Sequence, residues 1–235
     1  VDIHDLNVTN QNFVANRGGA FEFNAVGNID ITGMSFVKNH VYTQTMGVSA
    51  KEKISFLYLK NCGSLTLVTA DFNNNTVTGI QNVETNFRFV LADVLSSLTV
   101  KHFSAIGNEI YCLFYLFRVK TVNVDTPLSM AYDNITLKSN TNDFSSFYFM
   151  KFSEAKIKSF DARNFLVTDN FLSGRLFEIS TLGNIDFPGL HLSDTITYHK
   201  IANFNNINVI DNKNLTNYAL LLFSVTNPNT VPNDY

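Results

Sequence analysis

The sequence predicts an all-β fold, a parallel β-helix of about eight irregular coils over residues 1–228, and three observations lead there. The first is composition. The 235 residues include 22 Phe, 9 Tyr and 31 Asn, while charged residues make up only 16%. Aromatic and β-branched residues suit a pleated, half-buried surface, and Asn suits turns. The second is an internal repeat with the spacing apolar-x-apolar-x4-apolar-x2-Asn. The third is that a second short apolar stretch follows most copies, with no 3.6-residue periodicity of the kind a helical return would need.

The copies in chain order are these. Leu6, Val8, Phe13 and Asn16 open the series, followed by Ile29, Ile31, Phe36 and Asn39, then Leu65, Leu67, Phe72 and Asn75. Leu98, Val100, Ala105 and Asn108 keep the spacing with Ala in place of Phe. Met130, Tyr132, Leu137 and Asn140 fit it, as do Phe160, Ala162, Val167 and Asn170. Ile185, Phe187, Leu192 and Thr195 keep the apolar part and exchange the Asn, and Ala202, Phe204, Val209 and Asn212 complete the set. With Asn at about an eighth of positions, chance would give it to roughly one copy of eight; seven of the eight carry it. The second strands are expected at Phe21/Phe23, Ile54 to Leu59, Phe87/Phe89, Leu113 to Phe117, Phe147/Phe149, Phe177/Ile179 and Leu220 to Phe223.

Such a unit cannot bury its apolar side alone, and stacking the units creates one continuous core. Phe13, Phe36 and Phe72 are expected to stack inside. Asn16, Asn39, Asn75, Asn108, Asn140, Asn170 and Asn212 are expected to form a ladder at the turn, bonding backbone left open by the bend. A leucine-rich repeat, the main competitor, would need L-x-x-L-x-L-x-x-N and a helical return. Residues 229–235 read as a linker or exit segment, and the chain as part of something longer.

The stretch NFVANRGGAFEF (residues 12–23) reads as the turn of the first coil, with Gly18 and Gly19 supplying positive φ. Phe13, Asn16, Gly18, Gly19 and Ala20, with Phe21 in an aliphatic position, resemble the F-x-x-N and G-G-A-[ILV] pattern of polymorphic outer-membrane protein repeats, found in bacterial autotransporter adhesins and in large surface proteins of some protists. Phe36/Asn39 and Phe72/Asn75 repeat the F-x-x-N half. The resemblance implies a right-handed, pectin-lyase-like β-helix used for surface display or adhesion, at an extracellular or cell-surface location.

The formal charge of −3 gives no basic footprint for nucleic acid. The longest apolar run, IYCLFYLF (110–117), has eight residues against the roughly 18–20 needed to span a bilayer. Cys62 and Cys112 match no metal spacing and read as two buried thiols, with a single disulfide as the alternative; neither metal nor cofactor is expected. Many β-helices cleave polysaccharides. Here the one candidate constellation is Asp161 and Asp186, each lying between the first two apolar positions of its copy, with His191 and His199 nearby. On neighbouring coils their carboxylates would stand about 5 Å apart, the separation of a retaining glycosidase. The polygalacturonase signatures N-T-D, D-D, G-H-G and R-I-K do not occur, so the pair is expected to be solvated surface.

Asn7, Asn74, Asn134 and Asn214 begin N-x-T sequons and become glycan acceptors in an extracellular chain. The expected function is a non-enzymatic structural or adhesive module. A polysaccharide-active or glycan-binding domain and a filament subunit stacking end to end are the alternatives. The expected partners are protein segments covering both solenoid ends, because neither terminus carries the polar cap that an open coil needs.

Overall fold

The computed structural model describes residues 1–15, 19–43, 54–79, 86–93, 95–120, 128–153, 157–182, 202–210 and 221–226. The first coil comprises β1 (Asp2–His4), β2 (Asn7–Thr9), β3 (Asn12–Ala15) and β4 (Gly19–Asn24). Then follow β5 (Asn28–Val37), β6 (His40–Thr43) and β7 (Ser55–Lys60). The third coil is β8 (Ser64–Asn73), β9 (Thr76–Thr78) and β10 (Asn86–Ala92), and the fourth β11 (Ser97–Ile106), β12 (Glu109–Tyr111) and β13 (Leu113–Lys120). The fifth and sixth have two long strands each: β14 (Leu128–Lys138) with β15 (Thr141–Ser153), and β16 (Ile157–Thr168) with β17 (Phe171–Leu182). β18 (Ala202–Ile210) and β19 (Leu221–Thr226) form the last. Every strand pairing is parallel and joins one coil to the next, so the fold is an all-β parallel solenoid.

The ladder β1-β5-β8-β11-β14-β16-β18 has seven rungs, where eight coils were expected. β16 pairs directly with β18, Phe160 opposite Ala202, so no rung built on Ile185 and Phe187 stands between them. Residues 183–201 themselves, like the proposed exit at 229–235, lie outside the described residues.

One backbone feature explains the repeat's four-residue gap. In each rung a single residue adopts left-handed φ at the corner, between β1 and β2 at Asp5 and in mid-strand at Gly33, Thr69, His102, Asn134, Asn164 and Asn206. Plain alternation after an inward Ile31 would turn residue 33 inward. The left-handed corner shifts the phase by one, so Met34 and then Phe36 are buried. This exposes a core column that the sequence reading passed over: Met34, Ala70, Phe103, Ile135 and Phe165, all buried and in register from coil to coil. The x4 gap is a corner carrying its own core residue.

Phe36 and Phe72 stack with centroids 5.5 Å apart and planes within 3°. Phe56 meets Phe36 from the opposite wall at 4.5 Å, and Phe114 meets Phe72 at 5.4 Å. Aromatic pairs at such distances add roughly 0.5–1.5 kcal/mol each beyond simple burial. The core is therefore a column of rings crossing between two sheets.

The first coil departs from the expected register. Val8, not Phe13, pairs with Phe36, and Phe13 pairs with Val41. The Phe13 ring still lies 5.6 Å from Phe36, but it is half-buried at the end of the stack. Gly19 begins β4 and is not among the positive-φ glycines; a Cβ there would approach both Tyr58 Cβ and Phe21 O to 2.8 Å. Close backbone approach, not a left-handed turn, requires glycine at this position. Gly18 lies outside the described residues.

Candidate functional site

Asparagine builds two parallel lines along this solenoid. The inner line runs through Asn39, Asn75, Asn108, Asn140 and Asn170, each 1–2% exposed. Each residue just before them, Lys38, Asn74, Gly107, Ser139 and Asp169, has left-handed φ, which swings the next side chain into the turn. Each Oδ1 from Asn75 to Asn170 accepts the backbone N–H and the Nδ2–H of the asparagine one coil earlier, at 2.8–3.3 Å. Each Nδ2 also donates to a carbonyl of the preceding coil, namely Val8, Phe36, Phe72, Ala105 and Leu137, at 2.7–2.9 Å. An amide suits the place because it accepts and donates at once. The series ends at Gln11, whose N–H donates to Asn39 Oδ1 while its own side-chain amide turns to the Thr9 carbonyl. Gln11 thus holds the place expected of Asn16. Asn16 and Asn212 lie outside the described residues.

The outer line follows the mid-strand corner and was not foreseen. His102, Asn134, Asn164 and Asn206 are all exposed. The Asn134 amide lies 2.7 Å from His102 Nδ1, Asn164 Nδ2 donates to Asp133 at 2.8 Å, and Asn206 Nδ2 donates to Asn164 at 2.9 Å. Asn208 extends the line with a 3.0 Å bond to Asn206. Beside it stand hydroxyl columns in register, Ser64, Ser97 and Ser129, with Thr66 and Thr99. Repeated at the rung spacing of about 4.8 Å, these amides and hydroxyls offer ordered donors and acceptors to a polar partner.

Of the expected acidic pair, only Asp161 lies among the described residues. The position opposite Asp161 on the adjacent rung is Asn203. Asp161 itself accepts from Arg163 Nε at 2.9 Å and pairs with Arg163 Nη2, a contact between two residues of the same strand, β16. Asp186, His191 and His199 lie outside the described residues. Of the four sequon asparagines, Asn7, Asn74 and Asn134 are exposed, and Asn214 lies outside the described residues.

A further column also escaped the sequence reading. Arg88, Tyr115 and Tyr148 are in register on successive second strands. The guanidinium of Arg88 lies 5.5 Å from the Tyr115 ring and that of Arg118 5.9 Å, Lys151 lies 5.1 Å over Tyr148, and the two tyrosines stack at 5.0 Å. The signal was available in the aligned stretches NFRFV, LFYLF and SFYFM, whose middle residues share one register position and are all buried. Cys62 and Cys112 are separate buried thiols; burial pushes Cys112 up to about 12, which keeps it protonated and unreactive. Tyr58, sheltered and bonded to Asp93, is raised above the ordinary phenol range by burial first and by that bond second.

No family model, no curated protein and no solved structure matches this chain.

Proposed function

We propose that this chain is a structural or adhesive module of a large extracellular or cell-surface protein, a rigid rod that presents its outer corners to partners. The observation that carries the reading is the exposure of Asn7, Asn74 and Asn134 together, each an N-x-T acceptor on an outward-facing part of the solenoid. The ordered amides of the outer line support it, since they repeat along the rod without interrupting the core. The likeness of residues 13–21 to outer-membrane adhesin repeats points the same way and adds a right-handed, pectin-lyase-like coil to the proposal. Glycans on those asparagines would shield the rod's flanks, and the remaining polar corner would meet protein or glycan partners.

The test is to secrete residues 1–235 from a eukaryotic host and map the glycopeptides by mass spectrometry. Occupancy at Asn7, Asn74 and Asn134 is the expected result. Three unmodified asparagines after passage through the secretory pathway would remove the main support. Binding of the glycan-free protein to a glycan array, compared with binding to cultured cells, then separates a sugar ligand from a protein ligand.

A further inference from the structure

We propose that the narrow face formed by β6, β9 and β12, continued by the first residues of β15 and β17, binds a neutral, extended, β-linked polysaccharide, which stacks on aromatic rings set two coils apart. This face lies on different strands from the outer amide line, and its ligand is held whether or not the chain is displayed on a surface.

Alternation decides what these short strands show. Val41, Val77, Ile110, Asn142 and Leu172 are in register and buried. The residues before them, and after them in β6, β9 and β12, therefore point outward. Tyr42, Thr78 and Tyr111 form one outward column. His40, Thr76, Glu109, Thr141 and Phe171 form the other. Tyr42, Tyr111 and Phe171 are 42%, 37% and 39% exposed, and they are the exposed aromatic residues among those described. Rings are the side chains that a fold gains most by burying, so three left in water on one face mark a binding surface.

Their order along the rod points to the ligand. The rings stand on the second, fourth and sixth coils, and the third and fifth present Thr76, Thr78 and Thr141 instead. Tyr42 and Tyr111 share a column and stand two rungs, about 9.6 Å, apart. Phe171 follows two rungs further on and one outward position back, so the line of rings slants. A protein partner seats its anchors in a well-packed patch at the centre of an interface, whereas here a threonine rung separates each ring from the next. A polysaccharide suits that pattern. In an extended β-1,4-linked chain each sugar is turned over relative to the last, so the same C–H face returns every second sugar, close to the two-rung repeat. The rings take those faces, and the threonine hydroxyls with Glu109 meet the hydroxyl edges. The His40 ring stacks on Tyr42 at 4.0 Å with planes within 25°, which holds the platform in place before a ligand arrives. These outward positions include no Lys or Arg, and the exposed Glu109 repels anions, so a neutral chain is preferred over a uronate or sulfated one.

Isothermal titration calorimetry against cellohexaose and chitohexaose is the first measurement. It uses the chain made in bacteria, without N-glycans, so its outcome is separate from that of the glycopeptide map. Binding of at least one of the two is expected. Maltohexaose, whose α-linked chain coils, and hexagalacturonate, which is charged, should bind about tenfold or more weakly. Failure of both β-linked hexamers at millimolar concentration overturns the proposal, as does equal or tighter binding of maltohexaose or hexagalacturonate. Tyr111→Ala should weaken the hexamer roughly three- to tenfold, while Tyr111→Phe keeps the ring and the affinity. Phe171→Ala, off the straight line, should cost less, and Leu166→Ala, an exposed apolar side chain on another strand, should change nothing. Full affinity in Tyr111→Ala, or an equal loss in Leu166→Ala, places the sugar elsewhere and ends the proposal. A Tyr111→Phe variant as weak as Tyr111→Ala ends it too, since a hydroxyl contact would then replace stacking. Sedimentation velocity supplies the last check: self-association that Tyr111→Ala abolishes, in a chain that binds no hexamer, would make the stripe a protein interface.

Discussion

Asn108 and Asn134 are the same residue one coil apart, and they do opposite jobs. Asn108 is buried and its side chain makes four hydrogen bonds, accepting two from Asn75 and donating to Phe72 O and Asn140 Oδ1. Asn134 is exposed, has left-handed φ, and its amide meets the exposed ring of His102. The first is kept for its polar atoms, because buried backbone groups depend on them. The second is kept for its tolerance of a conformation that most L-residues avoid. An abundance of Asn therefore reflects two separate demands, and substitution separates them.

The largest effect is expected at the inner line. Asn108→Leu preserves bulk but orphans the Asn75 N–H and the Phe72 carbonyl inside the core. At about 1–3 kcal/mol for each unsatisfied buried group, the loss should be roughly 2–6 kcal/mol in chemical denaturation. Asn134→Leu should cost about 1 kcal/mol, mainly through its left-handed φ. Equal losses at the two sites would dissolve the distinction.

The apolar columns sharpen it next. Phe36→Ala removes a ring packed against Phe72, Phe56 and Phe89 in the interior and should cost about 3–5 kcal/mol. Phe13→Ala, at the open end of the same stack, should cost about half as much or less, since part of its ring already faces water.

The inner line and the two apolar columns beside it were legible from sequence because there one conformation demands one kind of side chain. Inward positions demand apolar residues, and the turn demands an amide that both donates and accepts. The outer corner was not legible because its demand falls on backbone. Asp5, Gly33, Thr69, His102, Asn134, Asn164 and Asn206 share a φ near +55° to +75° and no side-chain chemistry. Missing that corner also hid the Met34–Phe165 column, since the phase of alternation changes there. The first coil misled for another reason. Phe13 and Asn16 have the right spacing, but the preceding residues already fill the rung, and Val8 with Gln11 occupies the places beside Phe36 and Asn39. Spacing alone does not decide which of two overlapping matches the backbone uses.

The smallest expected effect goes toward stability and tests the corner most directly. Thr69 is the one β-branched residue in the left-handed column, at φ 56°, and it is exposed. Two heavy atoms on Cβ crowd the carbonyl in that conformation, which makes a β-branched residue there a strained choice. Asn, already present at three of the seven corners, tolerates the conformation and bonds locally. Thr69→Asn should therefore stabilise the protein by about 0.5–1 kcal/mol, with the side chain in water and no core contact changed. Thr69→Gly removes the strain too, but it gives the unfolded chain more freedom and should gain less. Thermal or denaturant unfolding of the three proteins side by side reads the order Asn, then Gly, then Thr. A wild type more stable than both variants would mean that Thr69 is held by contacts and not merely tolerated at a corner, and the corner would then belong with the inner line.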